Sequence, residues 1–210
     1  MQKERFIGAH VSSAGGLENA LINAAALDIN TIQIHPSPPQ RWNAKPFDDG
    51  KENKFMAHFP TSVVKKVFFH GIYLINLANP DKQKFHLSKL SLVNYLDLCS
   101  RMQAQGVIFH TGSFKDIEEK ERYERVIYGV NWVLEHAENT APLLLEVAAG
   151  AGKVIGSQIE DLARIYEGVN DKKRIAFALD TQHMWASGYD WQNKLDEIVE
   201  QLDNVLGLEN

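Results

Sequence analysis

The chain has 210 residues, of which 44% are hydrophobic, and this is enough for the core of one large domain. A formal net charge of -5 argues against broad nonspecific attraction to a polyanion, although a basic loop or bound cations can reverse the sign locally. The charged amino terminus contains no apolar signal region and no apolar run reaches membrane-spanning length, so we expect a soluble, cytoplasmic protein without membrane contact. The single cysteine, Cys99, lies among apolar helix positions, which predicts a small core residue rather than a nucleophile.

Apolar runs alternate with helical patterns along the whole chain. Strands are predicted over residues 5–11, 31–35, 67–70, 107–110, 142–146 and 174–180. Helices are predicted over residues 17–25, 53–59, 81–105, 117–138, 157–167 and 191–206. This order is typical of an α/β fold with a parallel sheet, and it predicts a TIM-type (β/α) barrel. Because six βα units are visible where such a barrel has eight, we predict an incomplete barrel that forms one domain over residues 1–210.

Four predicted strands in succession end in a side chain that can bind a metal ion. These side chains are His70, His110, Glu146 and Asp180, and His183 follows Asp180 by three residues. The carboxyl ends of parallel strands meet on one face of a barrel, so we expect the five side chains to converge. Taken alone, Asp180 would be a helix cap and His183 a partly exposed ring. The recurrence favours a metal site instead, and imidazole with carboxylate suits zinc.

Other polar and aromatic side chains lie near the same predicted strand ends. His10 ends the first strand and is either a further functional group or a satisfied polar residue, with similar weight. A loop with three prolines presents Gln40, Arg41 and Trp42, a combination suited to phosphate and base contacts. The alternative is that Trp42 folds back over the core. Tyr73 follows a predicted ligand by three residues and is either an aromatic wedge beside the metal or a core residue.

With these residues assembled, the chain resembles the endonuclease IV family, the zinc-dependent apurinic/apyrimidinic endonucleases of base excision repair. The resemblance extends over the whole chain and keeps the order of the family's motifs. The matching stretches are GAHVSSAGG at 8–16, QRW at 40–42, YLINL at 73–77, HTGS at 110–113, Glu146 with the AGAG turn at 149–152, LDTQH at 179–183 and ASGYD at 186–190.

The resemblance implies a xylose-isomerase-like TIM barrel with up to three zinc ions, which cleaves the phosphodiester 5′ to an abasic site. It implies that His70 and His110 bind the first zinc and that Glu146, the catalytic residue, bridges it to the second. It also implies that Asp180 binds the second zinc and His183 the third. By the same similarity, the loops that penetrate double-stranded DNA and flip the damaged nucleotide carry Gln40, Arg41, Trp42 and Tyr73.

The chain departs from the family pattern at several positions. Val147 and Ala148 replace Asn-Thr, Gln182 replaces Cys, Thr111 replaces Pro, and the loop arginine is commonly one position earlier than Arg41. The family continues beyond this point with two more strands and four more ligands. We therefore expect one complete zinc ligand set here, the first, and open barrel edges that pair with a C-terminal segment or a second chain.

Two alternatives remain open at the level of the sequence. One is a noncatalytic or weakly active fragment that binds a metal ion, with or without DNA. The other is a sugar-isomerase-like barrel enzyme, which also gathers carboxylates and histidines at strand ends. The predicted DNA loops at 40–42 and at Tyr73 argue against the sugar enzyme.

Overall fold

The computed structural model of the protein describes residues 4–42, 49–114, 118–150 and 153–208. The strands are β1 (Gly8–His10), β2 (Thr31–Ile34), β3 (Lys66–His70), β4 (Val107–His110), β5 (Gly112–Ser113), β6 (Leu143–Glu146), β7 (Val154–Ile155) and β8 (Ile175–Ala178). The helices are α1 (Asn19–Ala26), α2 (Asp49–His58), α3 (Lys82–Arg101), α4 (Glu119–His136), α5 (Ile159–Glu167), α6 (Thr181–Ala186) and α7 (Leu195–Leu206). Two short 3-10 turns lie at Phe59–Thr61 and Lys172–Arg174.

Six of the strands form one parallel sheet, in the order β1-β2-β3-β4-β6-β8. Within this sheet, each strand except the outer two lies between the strands that precede and follow it along the chain, which is the order of a TIM-type barrel. This confirms the predicted fold class, with six βα units and with β1 and β8 at the two edges of the described sheet. Within the described residues, the helices are too short or too polar to cross a membrane.

The core lies between the sheet and the helices that cross over it. The central strands β4 and β6 are almost continuous apolar runs and are buried, as expected for parallel strands covered on both faces. Helices α5 and α7 each turn one apolar stripe inward at helical spacing, with Ile198, Leu202 and Leu206 buried on α7. Cys99 is also buried, as predicted, and burial raises the pKa of its thiol to about 12.

The observed elements are shorter than predicted at several ends. Helix α3 stops at Arg101 rather than continuing to residue 105, because Gln103 takes a left-handed φ of 55° that a helix cannot continue through. The first strand has 3 residues instead of the seven predicted. The predicted start of α4 at residue 117 lies outside the described residues.

The sequence missed helix α6 and a small antiparallel ribbon formed by β5 and β7. Helix α6 has 6 residues, too few for a periodic apolar pattern, and it is held at its start by Asp180. The Asp180 carboxylate accepts hydrogen bonds from the backbone N–H groups of Gln182 and His183, at 2.8 and 2.9 Å. The ribbon strands have 2 residues each, which is below what side-chain alternation can indicate.

Candidate metal centre

The carboxyl ends of three neighbouring strands bring His70, His110 and Glu146 together. Each is the last residue of its strand, and β4 lies between β3 and β6 in the sheet. Oε2 of Glu146 lies 3.0 Å from Nε2 of His70 and 2.8 Å from Nε2 of His110. His70 and Glu146 are buried and His110 is half-buried. The site is therefore a compact group of two imidazoles around one carboxylate oxygen.

The other carboxylate oxygen of Glu146 faces a second group. Nδ1 of His183 lies 3.6 Å from Oε1 of Glu146 and 3.6 Å from Oδ2 of Asp180. The two hydrogen bonds that cap α6 also hold this group in place, since Asp180 precedes the helix on which His183 lies. Possible ligand atoms lie within 4.8 Å of one another in each group, with Glu146 common to both. The carboxylate of Glu146 thus has one oxygen near each group, which is the arrangement expected of a bridging ligand.

Backbone carbonyls accept a hydrogen bond from two of the imidazoles. Nδ1 of His70 donates to the carbonyl of Gly71 at 2.7 Å, and Nδ1 of His183 donates to the carbonyl of Val147 at 3.0 Å. Metal-binding histidines usually use one ring nitrogen in this way, which leaves the other for the ion. For His70, the remaining nitrogen is the one that faces Glu146. For His183, the nitrogen bonded to Val147 is also the one 3.6 Å from Glu146 and from Asp180.

One buried nitrogen in this group bears on whether the residues could hold a cation. Nε2 of His110 is buried and, within the part of the chain described, has no hydrogen-bond partner. It lies 2.8 Å from Oε2 of Glu146. Buried polar atoms are nearly always satisfied in folded proteins, so an orphaned one calls for an explanation. A divalent cation shared by the imidazoles and the carboxylate would satisfy it, and this donor set suits zinc.

The charges of the metal-free group follow from these contacts. Burial acts to raise the pKa of Glu146, but the contacts with His110 and His70 outweigh it and lower that pKa to about 2. Burial acts to lower the pKa of His70, but the hydrogen bond and charge of Glu146 raise that pKa above its usual 6.5. Without a metal ion, Glu146 is thus a carboxylate held by an imidazole that protonates readily.

Two further histidines extend the row of rings along the strand ends. The rings of His10 and His35 have centres 4.6 Å apart, and those of His35 and His70 lie 5.2 Å apart. Burial lowers the pKa of His10, and it lowers the pKa of His35 to about 4. Both rings line a cavity of about 820 Å³ between the loops that follow β1 and β2. The sequence did not single out His35, although it ends the predicted second strand and so carried the same signal as the other ligand types.

The four residues predicted to contact DNA lie in two different settings. Gln40 and Arg41 are exposed in the loop after β2, where the backbone N–H of Arg41 donates to the carbonyl of Pro38 at 3.1 Å. Trp42 is half-buried and packs against the core, as its alternative interpretation expected. Tyr73 is 66% exposed, which excludes the core interpretation for it. Its ring centre lies 6.1 Å from those of both His70 and His110.

The parallel sheet, with possible metal ligands at its carboxyl edge, indicates the class of protein. A family model described as xylose isomerase-like TIM barrel matches residues 21–209, so the chain is a member of that class. A protein named probable endonuclease 4 from Thermoplasma volcanium is 31% identical over 205 residues, which is 97% of this chain and 70% of that protein. The chain belongs to the endonuclease IV family, which confirms the resemblance noted from its motifs.

Solved structures agree with this assignment. The crystal structure of endonuclease IV from Thermus thermophilus matches with a TM-score of 0.83 and 28% identity, over 98% of this chain and 73% of that one. D-psicose 3-epimerase from Clostridium cellulolyticum matches with a TM-score of 0.68 but only 17% identity, over 87% of this chain and 66% of that one. The epimerase shares the fold alone.

Proposed function

We propose that the protein is a zinc-dependent endonuclease of the endonuclease IV type. It hydrolyses the phosphodiester 5′ to an abasic site in double-stranded DNA, as a step of base excision repair in the cytoplasm. The observation that carries the proposal is Glu146, whose two oxygens face two different groups of possible ligands. Family membership supports the same conclusion, since the relative from Thermoplasma volcanium is named as an endonuclease.

The proposed metal ligands are the residues that converge at the strand ends. His70, His110 and Glu146 form a complete three-ligand set, which is the usual number for a catalytic zinc with an open position. Glu146 also reaches the group of Asp180 and His183, where further ions would bind. When bound, zinc supplies Lewis-acid chemistry, since it activates water and stabilises charge on the phosphate and leaving oxygen.

Contacts within the chain hold the charge and the orientation of the proposed metal ligands. Contacts with the imidazoles of His110 and His70 hold Glu146 as a carboxylate at neutral pH, against the effect of burial, so that its negative charge is available to the cations. The carbonyls of Gly71 and Val147 fix the orientation of the imidazoles of His70 and His183. Prior orientation matters because each group then needs little rearrangement as the substrate reacts.

The proposed DNA contacts come from the loop after β2 and from Tyr73. The exposed Arg41 would neutralise a phosphate, and Gln40 beside it would reach a base edge. Trp42 fixes this loop by packing against the core and presents its remaining surface to the DNA. The exposed ring of Tyr73, close to two of the proposed ligands, would stack beside the extruded nucleotide. Extrusion costs least at an abasic site because no base pair is broken there.

We expect Tyr73→Ala to weaken binding to duplex DNA that contains one abasic site by about 10-fold, since loss of one stacked ring removes about 1–3 kcal/mol. The measurement is fluorescence anisotropy with a labelled duplex. Tyr128→Ala is the matched control, because Tyr128 is also exposed, at 57%, but lies on the outer helix α4. Equal affinities for the two variants would contradict a role of Tyr73 in DNA binding.

An incision assay tests the proposed function directly. A duplex with one synthetic abasic site is incubated with the zinc-loaded protein, and we expect a single cut that leaves a 3′-hydroxyl primer which a polymerase extends. A chelator should abolish the cut, and added zinc should restore it. Bound zinc without any cut would instead support a noncatalytic metal-binding protein. Epimerisation of a ketose without DNA incision would support the sugar-enzyme alternative.

A further inference from the structure

A pair of histidines lies beside the proposed metal centre but belongs to neither of its ligand groups. His10 is the last residue of β1, and His35 directly follows β2, the neighbouring strand. Their ring centres are 4.6 Å apart, closer than the 5.4 Å between the rings of His70 and His110. The two rings are thus at least as close as two that share the carboxylate of the metal centre.

In each ring of this pair, Nδ1 contacts a neighbouring polar group of the protein. Nδ1 of His35 donates to the carbonyl of His70 at 3.0 Å. Nδ1 of His10 lies 2.9 Å from the side-chain amide of Gln33. The side-chain amide of Gln33 occupies the same space when its oxygen and nitrogen are exchanged. In the exchanged orientation, its oxygen accepts a hydrogen bond from a proton on Nδ1 of His10. Among residues 4–42, 49–114, 118–150 and 153–208, neither Nε2 atom has a hydrogen-bond partner.

This pattern is the one that metal-binding histidines show. One ring nitrogen holds a carbonyl or amide that fixes the ring, and the other faces the ion. Two nitrogens that share an ion at about 2.0–2.1 Å each are at most ~4.2 Å apart, a separation that rings at this distance can reach. No carboxylate is needed, because neutral imidazoles alone bind zinc, copper and nickel.

We propose that His10 and His35 bind a divalent transition-metal cation through their Nε2 atoms, at a site separate from the metal centre. The two rings line the cavity of about 820 Å³, together with the hydroxyl-bearing Ser13 and Ser37. The remaining coordination positions therefore face an open space and take water or an oxygen ligand. The proposal does not depend on the proposed function, since it uses none of the residues assigned to the metal centre.

The number of ions bound per chain tests the proposal. The full chain and its variants are dialysed to equilibrium against zinc, and the bound metal is measured by mass spectrometry. We expect the double variant His10→Gln with His35→Gln to bind one ion fewer than the unchanged protein. His58→Gln is the matched control, since His58 is an exposed histidine on α2, and it should bind the same number as the unchanged protein. An equal number for the double variant and the control would overturn the proposal.

A second measurement needs no substitution in the pair and so remains valid if the double variant folds poorly. Nitrogen-15 spectra of the histidine rings are recorded during a zinc titration of the unchanged protein. We expect the Nε2 signals of His10 and His35 to shift together, and to shift also in Glu146→Gln, where the metal centre is impaired. Signals that stay in place at saturating zinc would overturn the proposal, whatever the outcome of the incision assay.

Discussion

Glu146→Gln should lower incision at an abasic site by more than about 100-fold while the protein stays folded. The substitution keeps the size of the side chain but removes its charge, and it places an amide N–H₂ against either the two imidazoles of one group or the ligand atoms of the other. Groups that only orient a ligand cost about 10–100-fold in metal affinity or activity when they are lost, and the bridging ligand should cost at least as much.

Single-turnover incision and bound zinc should be measured on the same samples, so that loss of metal is separated from loss of turnover. Glu52→Gln is a suitable control, because Glu52 is also a buried carboxylate with an ion-pair partner, Arg101, at 2.6 Å. That pair joins α2 to the end of α3, and Glu52 belongs to neither group of possible metal ligands. Incision by Glu146→Gln within about 10-fold of the unchanged protein would exclude a centre built on this carboxylate.

The positions of these groups could be predicted because strand ends are a local feature of sequence. An apolar run that stops at His70, His110 or Glu146 predicts both a strand and the residue at its carboxyl end. A parallel sheet then brings these strand ends together. The sheet order followed from the same alternation of strand and helix. The family motifs added the expectation that Glu146 is shared between ions.

The features that the sequence did not predict depend on contacts between distant segments of the chain. The division of the Glu146 oxygens between two groups is set by how α6 follows β8, and α6 is too short to give a periodic signal. His35 carried the strand-end signal in the sequence, but its contact with the carbonyl of His70 depends on the register of β2 against β3. The packing of Trp42 on the core also needs the folded chain.

Acid should destabilise the metal-free protein in two stages, for which the buried groups at the strand ends are responsible. The pKa of Glu146 is about 2 in the folded protein against an ordinary 4.5, so its contribution is fully present above pH 4.5 and is lost as the pH falls towards 2. A shift of this size corresponds to ~3 kcal/mol of unfolding free energy. The pKa of His35 is about 4 in the folded protein against an ordinary 6.5. Because the unfolded chain binds this proton more readily, the free energy of unfolding decreases as the pH falls from 6.5 to 4.

His70 acts in the opposite direction, and this helps to identify each stage. Its pKa is raised above 6.5, so its contribution is present below pH 6.5 and is lost as the pH rises through the folded value. Urea unfolding of the chelator-treated protein, followed by circular dichroism from pH 8 to pH 2, measures the sum. We expect Glu146→Gln to remove the fall below pH 4.5. We expect His35→Gln to reduce the fall between pH 6.5 and pH 4, to which His10, whose pKa is also lowered, still contributes. Parallel curves for Glu146→Gln and the unchanged protein below pH 4.5 would show that the carboxylate is not held by its imidazoles.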